Sequence, residues 1–125
     1  MAAKPGLKTR VKTVGFQMMA ASGCSELLPL LQAGVAGALP RLACCAPQAC
    51  YEVYAAFKDG DAGLSAEKAE RVRAADALML EMGVAAAKYA CDLNGYFGGV
   101  ARLPRLALTV GQRERVELVM REIRN

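Results

Sequence analysis

VGFQMMAASGCSELLPLLQAGVAGALPRLACC, Val14–Cys45, is the stretch whose reading decides the fold. It opens on an apolar run, Val14 to Ser22, of the length and composition of a strand buried on both faces. Leu27, Leu28 and Leu31 then recur at helical spacing, and Gly34 stands where a helix ends in left-handed backbone. Pro29 falls early in that helix, where a missing amide proton does least harm. A second apolar run, Val35 to Cys45, reads as another strand, although Pro40 cannot donate to a ladder. Strand, short helix and strand make a βαβ unit, so the two strands are expected to run parallel.

Outward from this unit the chain is helical. Pro47 opens a helix that places Cys50, Val53, Tyr54 and Phe57 on one apolar stripe. DGDAG, Asp59 to Gly63, reads as a turn, with Ser65 as the N-cap of a long helix reaching Met82. Gly83 allows a break, and a further helix is expected over Ala85 to Leu93. NGYFGG, Asn94 to Gly99, ends it with residues that tolerate left-handed backbone. Thr109 and Gln112 match a capping box, and they open a last helix with Val116, Val119, Met120 and Ile123 on its apolar side.

This order is unlike that of a complete domain. Two parallel strands leave open edges, and a parallel sheet needs cover on both faces. The composition agrees: hydrophobic residues make up 54% of the 125, yet Phe numbers three, Tyr four and Trp none. Much of the apolar count is alanine, suited to thin helices packed closely on something else.

Charge and cysteine usage narrow the function classes. The net charge of +4 is spread thinly. Its densest group, Lys4, Lys8, Arg10 and Lys12, lacks the stacking aromatics of a nucleic-acid surface and reads as a solvated face. No run is long enough to span a bilayer, and residues 1–15 lack the central apolar stretch of a signal peptide. Five cysteines in no framework spacing point to reduced thiols and to the cytoplasm.

Three of those cysteines, Cys44, Cys45 and Cys50, crowd RLACCAPQAC. With no histidine in the chain, a zinc site lacks its usual ligand pairs, and buried packing is the favoured role. The absence of histidine also removes Ser–His and Cys–His nucleophile systems. Lys12 and Lys88 are the candidate amines for imine chemistry. Lys12 reads instead as the polar end of a preceding element, and Lys88 as a helix-surface lysine. The acids Glu52, Asp59, Asp61, Glu67 and Glu70 fall on turns or polar helix faces, and nothing pairs the tyrosines with a base.

The ordered series FQMMAASGCSELLPLLQAGVAGAL, LACCAPQACYEVYAAFKDGD and AAAKYACDLNGYFGGVARLPRLALT resembles the C-terminal part of the dihydrodipicolinate synthase and N-acetylneuraminate lyase family of class I aldolases. The first segment is similar to strand seven, its helix and the start of strand eight. The second is similar to the exit of strand eight and the helix after it. The third resembles the lysine-bearing helix that leads to an Arg-x-Pro turn and the last helix. Ala21 stands where the family commonly has Gly, and Cys44 where it has Asn.

The resemblance implies an α/β fold: a C-terminal fragment of a (β/α)8 TIM barrel, about two parallel strands plus a three-helix region. Residues 1–46 would hold the last βα units, and residues 47–125 the terminal barrel helix and the C-terminal helices. The implied activity is that of a lyase on pyruvate-type 2-keto acids through a lysine imine, with no metal or organic cofactor. The substrate would be of the 4-hydroxy-tetrahydrodipicolinate synthase or 4-hydroxy-2-oxoglutarate aldolase kind. The implied pocket residues are Ala21, Ser22 and Leu39, and no catalytic residue is assigned. The family's imine-forming lysine lies on strand six, which these residues do not include. The implied assembly is a homo-oligomer binding a small keto acid, without nucleic acid or membrane. The alternative is a non-catalytic helical interaction module, or a subunit completing a barrel with another chain.

Overall fold

A computed structural model of the chain describes residues 17–21 and 23–124. Lys12, the start of the first apolar run and Ser22 lie outside the described residues. Strand β1 (Met19–Ala20) pairs in parallel with β2 (Gly37–Ala38), Met19 opposite Gly37 and Ala20 opposite Ala38. Two further bonds lengthen the ladder: Ala36 N–H donates to Met18 O at 2.8 Å and Leu39 N–H to Ala20 O at 2.7 Å. Among the described residues the sheet has these two strands.

The crossover is a 3-10 turn, Cys24–Glu26, running into α1 (Leu27–Gln32), which buries Leu27 and Leu31. Gly34, at φ 98°, turns the chain back, in backbone that costs any residue with a Cβ. The expected βαβ unit is therefore present, with one correction. The second strand does not run to Cys45, because Pro40 ends the ladder and Arg41–Cys44 coil into a 3-10 turn. Leu42, 1% exposed, plugs that turn into the core.

Helix α2 (Pro47–Lys58) starts on its proline, as expected, and buries Cys50, Val53 and Ala56. Helix α3 (Ala62–Met82) starts earlier than the sequence suggested. Asp61, not Ser65, is its N-cap, with Oδ1 accepting from Leu64 N–H at 2.9 Å. Ser65 is buried one turn inside, its hydroxyl donating to Ala62 O at 3.1 Å. Gly83, at φ 75°, separates α3 from α4 (Val84–Leu93). After an irregular segment the Thr109 and Gln112 capping box opens α5 (Val110–Met120). One apolar cluster joins the strand pair to every helix, running from Ala20 and Leu31 through Leu42, Val53 and Val72 to Val116 and Met120.

Candidate functional site

The parallel register fixes where the strands end together. Ala21 follows β1, Leu39 follows β2, and the 2.7 Å bond from Leu39 N–H to Ala20 O holds the two exits side by side. Ala21 is exposed, and Leu39 is 67% exposed, high for a leucine beside a core. Two of the three expected pocket residues thus meet on one rim, and Ser22 lies outside the described residues.

The helical region braces that rim. The Cys91 thiol, on α4, donates to Cys44 O at 3.4 Å, and Asn94 Nδ2 donates to Cys45 O at 2.7 Å. Cys44 itself is exposed, whereas Cys45 is fully buried and its thiol donates to Leu42 O at 3.3 Å. Burial pushes the Cys45 thiol up to about 12, so it remains protonated at neutral pH. Burial also raises the Cys91 thiol, with the neighbouring Cys44 adding to it.

The lysines do not converge on the rim. Lys88, on α4, donates to Gly98 O at 2.7 Å. Lys68 pairs with Glu52 at 2.5 Å, and Lys58 lies 5.5 Å from the centre of the Tyr54 ring. Among the described residues no three His, Cys, Asp or Glu side chains are grouped to hold a metal ion. No helix of the described residues is long and apolar enough to cross a membrane.

Two features escaped the sequence reading. Asp76 is 2% exposed, and its Oδ1 has no hydrogen-bond partner. The half-exposed Arg41 guanidinium lies 3.8 Å from it. Gly23 is so close that any Cβ there would collide with Asp76 Oδ2. The signal was present, since Asp76 shares helical spacing with Val72, Ala75 and Met79 on the buried side of α3. The second feature is a meeting of thiols across the crossover, with Cys24 Sγ and Cys50 Sγ 3.4 Å apart. Sequence spacing placed Cys50 on an apolar helix stripe but did not pair it with Cys24. This contact raises the Cys24 thiol and lowers that of Cys50, and either sulfur can be the donor.

Comparison with known proteins bears out the fold. No protein-family profile matches the sequence, and no curated protein does. Solved structures do. A dihydrodipicolinate synthase of Bacillus anthracis superposes with TM-score 0.77 at 21% identity, over 85% of this chain and 37% of that one. The N-acetylneuraminate lyase of Proteus mirabilis gives 0.69 at 26% identity, over 80% and 34%. That of Fusobacterium nucleatum gives 0.79 at 18%, over 95% and 41%. The chain spans between 34% and 41% of the length of these structures. It has the fold of a C-terminal fragment of their barrel with the helical region attached.

Proposed function

We propose, from the premise that this chain carries the C-terminal part of the dihydrodipicolinate synthase and N-acetylneuraminate lyase fold, that it forms one wall of a lyase pocket for pyruvate-type 2-keto acids. The observation that carries the reading is the shared exit of two parallel strands at Ala21 and Leu39. In barrels of this kind substrates bind at the C-terminal ends of the strands. Ala21, Ser22 and Leu39 would line the wall and shape the space around the keto acid.

The reacting amine is assigned elsewhere. An imine forms when an unprotonated lysine attacks the keto carbon and water leaves, and this requires an amine free to reach the rim. Lys58, Lys68 and Lys88 sit on helices α2, α3 and α4 with other partners. Lys12 lies outside the described residues and reads from the sequence as the polar end of a preceding element, so the amine is assigned to further polypeptide, in a longer form of this chain or in another chain. Small-molecule binding, the absence of a cofactor, residence in the cytoplasm and homo-oligomeric assembly follow from the same reading.

The test is borohydride trapping. The chain is incubated with pyruvate, reduced and weighed intact, and the expected result is an unmodified mass. An adduct on Lys12 or Lys88 would overturn the assignment. A second reading, a subunit that completes a barrel supplied by another chain, is favoured by the exposed Met19 and Leu39 beside the two-stranded sheet. DNA sequencing upstream of Met1 separates the two. An in-frame strand carrying Gly-x-Lys supports a longer enzyme, and a stop codon directly before Met1 supports the separate subunit.

A further inference from the structure

We infer that Cys24 and Cys50 form a peroxide-oxidisable pair that closes to an intrachain disulfide, tying the turn after β1 to the start of α2. The sulfur atoms already lie 3.4 Å apart, across the 26 positions that separate the two residues. A disulfide needs about 2.05 Å, so closure takes a sulfur movement of little over an ångström. Both thiols are on backbone fixed by packing: Cys24 opens the 3-10 turn at 1% exposure, and Cys50 completes the first turn of α2 at 6%.

Access separates their roles. Cys50 lines an open cleft of about 320 Å³ beside β2, with Gly37, Pro40, Pro47 and Tyr51 around it. Cys50 is part of the wall of that cleft and Cys24 is not, so an oxidant as small as hydrogen peroxide is expected to meet Cys50 first. Acidity points in the same sense, the shared sulfur contact lowering the Cys50 thiol and raising that of Cys24. The Asp76 carboxylate on α3 adds to the rise at Cys24 and opposes the lowering at Cys50.

The chemistry balances with peroxide as the oxidant. The Cys50 thiolate attacks one peroxide oxygen, the O–O bond breaks, and Cys50 becomes a sulfenic acid as hydroxide leaves. Cys24 sulfur then attacks the Cys50 sulfur, the S–O bond breaks, and the Cys24 proton leaves with the oxygen as water. Two thiols and one peroxide yield one disulfide and two waters. The other cysteines are not placed for this: the Cys45 and Cys91 thiols donate to carbonyl oxygens, and Cys44 is exposed.

The test treats the full chain with hydrogen peroxide, blocks remaining thiols in denaturant, and maps tryptic peptides without reductant. Cleavage at Arg41 separates Cys24, in residues 13–41, from Cys50, in residues 42–58. The expected product is a cross-link between these peptides that survives Cys44→Ser and Cys45→Ser, is lost in Cys50→Ser, and reverses with dithiothreitol. In Cys24→Ser, dimedone is expected to label Cys50. Absence of the cross-link in the unsubstituted chain, its persistence in Cys50→Ser, or dimedone labelling at Cys44 instead would each overturn the proposal.

Discussion

Gly98→Ala is the sharpest perturbation this fold offers, because the glycine lies against helix backbone rather than side chain. A Cβ at Gly98 would stand 2.6 Å from the carbonyl carbon of Lys88 and 2.8 Å from its Cα, and closer still to its carbonyl oxygen. Those atoms are inside α4 and cannot give way, so the loop must lift. Lifting breaks two ties: Gly98 N–H to Asp92 Oδ1 at 2.8 Å, and Lys88 Nζ to Gly98 O at 2.7 Å. Hydrogen bonds of this kind, part exposed to water, contribute about 0.5–1.5 kcal/mol each. Their loss sets the expected destabilisation at about 1–3 kcal/mol, the range also typical of overpacking. The assay is urea unfolding followed by circular dichroism, with the midpoint falling and the slope unchanged. Gly111→Ala is the control. It lies in the first turn of α5 with nothing within 4 Å of an added Cβ, and the substitution should stabilise by about 0.5 kcal/mol. If Gly98→Ala unfolds at the same urea concentration as the unsubstituted chain, or a higher one, the close approach is not a feature of the folded protein.

Other outcomes follow from packing and charge. Leu42→Ala empties a core position in the turn that ends β2 and should cost about 2–5 kcal/mol in the same assay. Thr109→Ala removes one half of the α5 capping box and should cost about 1 kcal/mol, with helicity lost mainly from that end when read by amide exchange. The Lys68 ammonium, with help from Gln48, holds the Glu52 carboxyl below its ordinary range. A depressed folded value means stability that is present above about pH 4.3, the ordinary Glu value, and is lost as pH falls through the folded one. Glu52 is exposed enough that this contribution stays under about 1 kcal/mol. Glu52→Gln should therefore flatten the acid limb of a midpoint-against-pH curve, and an unchanged limb would refute the pairing.

What the sequence made legible was periodic, and what it hid was spatial. The apolar run at Met18–Ala20 and the leucines of α1 carry a two-state pattern, strand then helix, and that pattern specified the parallel pair. The Thr109 and Gln112 box was readable because both partners lie within one turn of chain. Pro40 was read as a weakness in a strand, whereas its lack of an amide proton ends the strand and starts a turn. Ser65 lost the N-cap to Asp61, four residues earlier, which the sequence reading had placed in the preceding turn. Ala21 and Leu39 were locatable only as positions that directly follow a strand. The Cys24–Cys50 approach and the burial of Asp76 depend on how α2 and α3 seat against the crossover, which local pattern does not encode.

The buried carboxylate shows what the helical region does for the strand pair. Asp76 projects from α3 to the start of the crossover, against Gly23 and opposite Arg41, so the turn after β1 and the turn after β2 both face one group. Removing a partner from such a charge usually costs more than the pair contributes, because the remaining ion stays buried. Arg41→Ala should therefore destabilise the chain, and Asp76→Asn in the same background should recover much of the loss by removing the charge. Urea midpoints for the two single variants and the double variant give the coupling directly. Strictly additive midpoints would mean that Arg41 and Asp76 do not act on one another, and that no charge pair links the two strand exits.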